Sequence, residues 1–98
     1  MSIIEIEASI LKKWMQDNQA LIIDVREKCE HDAYSIPSSV NIPLSSLLIE
    51  MHNLEVKGGR KIVLYCTKGI RSMLGCQMLL QDGFTHQLYN LKNGLQEW

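Results

Sequence analysis

The sequence predicts an α/β domain with a central, mainly parallel sheet, and three observations carry that prediction. Two short apolar runs, Leu21-Ile22-Ile23-Asp24-Val25 and Lys61-Ile62-Val63-Leu64-Tyr65-Cys66, lack the alternation of a half-exposed strand, so they read as strands buried on both faces. Stretches with apolar residues at helical spacing lie before, between and after them. Turn residues fall between these segments, with Gly58-Gly59 leading into the Lys61 strand and Gly83 closing the stretch that follows it.

The elements follow in order. A short strand near Ile3 to Ile6 opens the chain. A helix carrying Ile10, Leu11, Trp14 and Met15 on one face comes next, with Lys12, Lys13 and Gln16 facing away. After the Leu21 strand, Pro37 and Pro43 mark an irregular stretch. Ser45 to Leu54 then reads as a helix capped by Ser45, with Leu47, Leu48 and Met51 inward. The Lys61 strand gives way to a helix from about Arg71 to Asp82 with Leu74, Met78 and Leu79 inward. A left-handed Gly83 ends it, and Phe84 packs back on the last turn. A final strand spans Gln87 to Leu91. Trp14 and Trp98 are expected to anchor packing, and Met15, Met51, Met73 and Met78 to fill the core rather than bind metal.

Composition narrows the function classes. With 98 residues, 46% hydrophobic and 21% charged, the chain fits one globular domain, residues 1–98, with no repeat or linker. A net charge of -1 supplies no basic field for nucleic acid or anionic lipid. No apolar stretch reaches the roughly 18 residues of a membrane span, and Met1-Ser2-Ile3-Ile4-Glu5 is unlike a secretory signal, so a cytoplasmic location is expected. Three cysteines, Cys29, Cys66 and Cys76, match neither a disulfide framework nor a metal knuckle and are read as free thiols. Cys29 sits in a polar stretch and Cys76 among core positions, while His52 and His86 are placed on the surface.

Chemistry concentrates where the Lys61 strand ends, in Cys66-Thr67-Lys68-Gly69-Ile70-Arg71-Ser72. In parallel sheets, ligands gather at the C-terminal ends of strands. Backbone N–H groups in a loop entering a helix have no helical partners, and the helix adds positive potential, so the segment Thr67 to Ser72 is an anion cradle. Gly69 permits positive φ, and Arg71 and Lys68 bring charge to neutralise a bound anion. The same field favours a Cys66 thiolate. A lone cysteine at a strand end is more often a small core hydrophobe, but the Gly, Lys and Arg in the next five positions turn the balance toward a nucleophile.

This loop resembles the active-site loop of rhodanese-like domains, with its Cys-x-x-Gly-x-Arg-Ser pattern. Three further stretches agree in order: Leu21 to Glu27; Ile36-Pro37 with Val40-Asn41-Ile42-Pro43-Leu44; and Asn90 to Trp98. The resemblance covers almost the whole chain and implies a stand-alone single domain, with a central parallel sheet of about five strands flanked by helices on both faces. It further implies a sulfurtransferase in which Cys66 takes a sulfane sulfur from a small-molecule or protein donor such as thiosulfate. The persulfide then yields that sulfur to a thiol or other thiophilic acceptor, and no metal or organic cofactor is required. Cys66 to Arg71 spans six residues, as in members that transfer sulfur, whereas related phosphatases have a loop one residue longer.

Asp24 and Arg26 match the family's Asp-Val-Arg motif and are expected to fix neighbouring loops rather than join the chemistry. Where the family carries Gly-His-Ile-Pro-Gly-Ala, this chain has Tyr34-Ser35-Ile36-Pro37-Ser38-Ser39, a departure bearing on pocket shape and donor preference. His31 is expected as a partly packed helix residue. The principal rival is a persulfide carrier with little small-molecule turnover, and the lesser rival a phosphatase or arsenate reductase.

Overall fold

The computed structural model describes residues 2–56 and 58–98; Met1 and Lys57 lie outside the described residues. Five parallel strands form one sheet: β1 (Ile3–Ile6), β2 (Ala20–Asp24), β3 (Val40–Asn41), β4 (Lys61–Tyr65) and β5 (Leu88–Leu91), in the order β1-β5-β4-β2-β3. Among the described residues, four helices connect them: α1 (Ala8–Gln16), α2 (Lys28–Ala33), α3 (Leu47–Asn53) and α4 (Ile70–Gln81). A 3₁₀ turn, Gly94–Glu97, follows β5.

Both faces of the sheet are covered, which is why the strands lack an alternating pattern. Leu21, Ile23, Ile62, Leu64, Cys66 and Leu88 point to one side, against Leu47 and Met51 of α3 and Cys76 and Leu79 of α4. Their neighbours in sequence, Ile22, Val63 and Tyr65, point to the other, joining Ile6, Leu11, Ile36 and Leu91, with Trp14 and Trp98 packed alongside. Because successive side chains on a strand point to opposite faces, each buried strand must be apolar at nearly every position.

Most of the expected elements form, and four details differ. Ile10 is exposed, because the stripe of α1 that meets the sheet runs through Leu11, Trp14 and Met15 and leaves Ile10 to one side. Ser45 is not a helix cap: a 3₁₀ turn at Leu44–Ser46 precedes α3, whose N-cap is Ser46, and the Ser46 hydroxyl bonds to Pro43 and Glu50. Leu74 faces solvent, since the inward stripe of α4 is Ser72, Gly75, Cys76 and Leu79. Small residues there let the helix lie close to the sheet, and larger apolar side chains at neighbouring positions misled the pattern. Finally, Val40–Asn41 forms an edge strand too short for any periodicity to reveal. At the other end of α4 the expected stop holds: Gly83 is left-handed and the Phe84 N–H bonds to the Leu79 carbonyl.

This topology places the carboxyl ends of β1, β2, β4 and β5 side by side, with Ile6↔Leu91, Leu64↔Asn90 and Asp24↔Tyr65 in register. The loop that begins at Cys66 sits at their centre.

Candidate active site

β4 ends at Tyr65, and the chain turns through Cys66 to Gly69 before α4 starts at Ile70. The Cys66 sulfur receives the Gly69 N–H at 3.1 Å and the Ser72 N–H at 3.4 Å, with the Ser72 hydroxyl also 3.4 Å away. Burial by itself would raise the pKa of this thiol. The Ser72 hydroxyl and the amides of Ser72, Lys68 and Gly69 outweigh it and hold the Cys66 pKa below its ordinary value. Dipoles that converge on the sulfur stabilise the thiolate more than the thiol.

Remote segments aim those amides. Gly69 has φ +93°, and a Cβ there would press against the backbone N of Asn93 at 3.1 Å, so the position requires glycine. From below, Asn90 on β5 donates its side-chain N–H to the Gly69 carbonyl at 3.2 Å. The 3₁₀ turn supplies the other clamp: Leu95 N–H binds the Cys66 carbonyl at 3.1 Å and Gln96 N–H the Thr67 carbonyl at 3.2 Å. Gly94 lies so close to this strand of the loop that a Cβ would clash with the Cys66 carbonyl oxygen.

The cationic members are placed differently from one another. Lys68 is exposed at the rim, and Ile70 is 74% exposed beside it. Arg71, expected as a cation of the cradle, has its guanidinium committed to Glu30 of α2 by two bonds of 2.7 and 3.0 Å, with a third to the Thr67 hydroxyl at 3.3 Å. This fork-to-fork geometry holds the Glu30 carboxyl at a pKa of about 2 and raises that of Arg71. Above the sulfur lies a cavity of about 400 Å³ lined by Cys66, Thr67, Lys68, Ile70 and Arg71. Beside it, sharing Lys68 and Ile70, is a shallower depression of about 610 Å³ that reaches Met73 and Leu74.

Asp24 and Arg26 form a buried ion pair at the end of β2. The Arg26 guanidinium grips the Asp24 carboxylate with bonds of 2.8 to 3.2 Å and also donates to the Tyr34 carbonyl. Burial alone would push the Asp24 carboxyl up, but the hydrogen bonds from the Arg26 side chain and amide and from His31 hold it down. His31 Nδ1 lies 2.9 Å from Asp24, so the histidine belongs to this buried network and not to the sulfur. Tyr65, adjacent to Cys66, gives its hydroxyl to Asp24 at 3.2 Å and receives the Ile36 N–H at 3.1 Å. Ser39, one of the departures from the family pattern, sits 2.8 Å from the same hydroxyl, while Ser38 occupies a left-handed conformation with φ +68° where the family has glycine. A serine held in that conformation costs ~1 kcal/mol relative to glycine.

A family model for the rhodanese-like domain matches residues 7–98. The chain belongs to the rhodanese-like family. A sulfurtransferase of Allochromatium vinosum is 32% identical over 95 residues, covering 96% of this chain and 86% of that protein. The uncharacterized protein YqhL of Bacillus subtilis is 38% identical over 80 residues, 82% of this chain, and the match spans 61% of its length. Among solved structures, a rhodanese-related protein from Thermoplasma volcanium superposes with a TM-score of 0.81 at 30% identity, covering 97% of this chain and 89% of that one.

Sequence reasoning found the rhodanese-like loop itself. It missed Glu30, Asn90, Tyr65 and the clamp from Leu95 and Gln96. For Glu30 a signal existed: Glu27 and Glu30 form a capping box at the start of α2, with the Glu27 N–H donating to the Glu30 carboxylate at 3.1 Å. Asn90 and the 94–97 turn lie within a family landmark, but only the fold shows what they touch.

Proposed function

We propose that this chain is a single-domain, cytoplasmic sulfurtransferase that moves a sulfane sulfur through a Cys66 persulfide. The observation that carries the reading is the convergence of the Gly69 and Ser72 amides and the Ser72 hydroxyl on the Cys66 sulfur. The thiolate attacks the outer sulfur of a donor such as thiosulfate. A sulfur–sulfur bond forms to Cys66, the donor's sulfur–sulfur bond breaks, and sulfite departs with the electron pair. The loop amides then hold the negative charge of the persulfide, as an oxyanion hole holds its anion. An acceptor thiolate or cyanide attacks the terminal sulfur, and Cys66 leaves as thiolate. Lys68 attracts the donor at the rim, and neither step calls for a metal or an organic cofactor.

Intact mass after incubation with thiosulfate tests the proposal. The expected result is a gain of one sulfur atom, absent in Cys66→Ala and removed by cyanide. An unchanged mass across several donors overturns it. A six-residue span from Cys66 to Arg71 leaves a phosphatase or arsenate reductase well behind, and Cys66-dependent activity on an aryl phosphate or arsenate would reverse that ranking.

One observation favours the carrier reading as a variant of the same chemistry. Ile70 at 74% and Leu74 at 49% exposure form an apolar surface beside the mouth, suited to a protein donor or acceptor. Steady-state turnover of thiosulfate with cyanide separates the two: negligible turnover together with rapid protein-to-protein transfer makes the chain a carrier.

A further inference from the structure

The charges around the cavity above Cys66 are unequally free. Two cations line it, Lys68 and Arg71. Both terminal nitrogens of Arg71 are bound to the two oxygens of Glu30. Glu30 is itself anchored, because one of its oxygens also accepts the Glu27 N–H at the start of α2. Behind Arg71 a second carboxylate, Glu27, lines a smaller cavity that Arg71 shares. A donor anion that sought the Arg71 fork would have to displace a carboxylate already in bidentate geometry and held by a second bond. With a pKa of about 2, Glu30 keeps its charge across the range in which a thiol transferase works, so protonation does not relieve the contest.

The charge of the Cys66 thiolate is held by the loop amides and the Ser72 hydroxyl; among the side chains at the mouth, Lys68 and Arg71 supply two positive charges and Glu30 removes one. One negative charge on a donor is balanced there. A second meets Glu30 without a free partner.

Resting on the sulfurtransferase reading, we infer that Glu30 sets the charge of the donor this site accepts. By holding the Arg71 fork, it disfavours dianionic donors such as thiosulfate relative to sulfane-sulfur donors of lower charge, the thiosulfonates and alkyl persulfides. Glu30 is thus a specificity-determining residue rather than a catalytic one. The chemistry is common to these donors: the Cys66 thiolate attacks the sulfane sulfur, the donor's sulfur–sulfur bond breaks, and a sulfinate or thiolate leaves in place of sulfite.

Thiosulfate and methanethiosulfonate offer the test, because they share the reacting bond and differ by one charge. The measured quantity is the ratio of kcat/KM for thiosulfate to that for methanethiosulfonate, in the wild-type chain and in Glu30→Gln, which keeps a side-chain acceptor for the capping box. The ratio is expected to rise about fivefold in the variant, mainly through KM for thiosulfate. A ratio unchanged within about twofold, with both donors affected alike, would mean that Glu30 merely supports the fold and overturns the inference.

A variant-free measurement guards against misfolding of Glu30→Gln: competitive inhibition of the wild-type chain by sulfate and by methanesulfonate. If sulfate binds less than about tenfold more tightly, the second charge gains little and the inference stands; a larger preference for sulfate shows an available fork and sinks it. Failure of the underlying reading looks different. In that case the wild-type chain gains no sulfur mass from either donor.

Discussion

Cys66 and Cys76 are ten positions apart, and neither has exposed surface, yet their acidities move in opposite directions. Cys76 lies within α4, packed among core side chains, where burial alone pushes its thiol up to about 12. Its thiol donates to the Tyr89 carbonyl at 3.9 Å, an acceptor that offers a thiolate nothing. Cys66 lies just before α4, where backbone N–H groups have no helical partners and turn to the sulfur instead. Burial does not silence a thiol. What decides is whether the groups that surround it donate or accept.

That contrast can be broken by exchange. Cys66→Ala is expected to abolish sulfur uptake and lower turnover by roughly a thousandfold or more, whereas Cys76→Ala leaves turnover within about twofold. The next effect is on the clamp. Gly94→Ala puts a methyl group against the Cys66 carbonyl in a left-handed conformation, and denaturant unfolding is expected to show a loss of about 3 kcal/mol.

A milder change removes one donor. Ser72→Ala is expected to slow alkylation of Cys66 by iodoacetamide at neutral pH about tenfold and to move its pH profile upward, while Cys76 stays unreactive until the chain unfolds. An unchanged profile would mean that the amides suffice by themselves.

The smallest effect is a slope of stability against pH. The Cys76 thiol is 9.0 ordinarily and about 12 in the fold, so the unfolded chain gives up this proton first and the native state loses stability as pH rises from 9 toward 12. The loss should reach about 1 kcal/mol by pH 10, and Cys76→Ala should remove it. Cys66 has the opposite sign. Its lowered pKa makes stability rise with pH from the folded value up to 9.0, above which its contribution is constant. Denaturation of the two alanine variants between pH 6 and 10 reads both slopes.

The legible parts of this molecule are local ones. The run from Lys61 through Ser72 contains a strand, a glycine-bearing loop and a helix start within one contiguous segment, so its chemistry could be read without knowing what lay around it. α2 was less visible because it buries no residue and so carries no apolar stripe. α4 hid its inward face, since Ser72, Gly75 and Cys76 point to the core while Ile70 and Leu74 point out. Close approach of the helix to the sheet selects small residues, and a pattern built on large apolar ones then fails.

By itself the sequence determined the parallel α/β sheet, through strands apolar on both faces, and singled out Cys66 as the candidate nucleophile, a cysteine set between a buried strand and a helix start. Only the tertiary structure decided the charge at the mouth. Arg71 is a free cation when read along the chain, and it becomes half of an ion pair once α2 brings Glu30, 41 positions away, against it. The loop's aim was likewise settled from afar, by Asn90 and by the amides of Leu95 and Gln96. Hydrogen-bond partners far apart in sequence leave no periodicity, because their geometry exists only after the strands between them have paired.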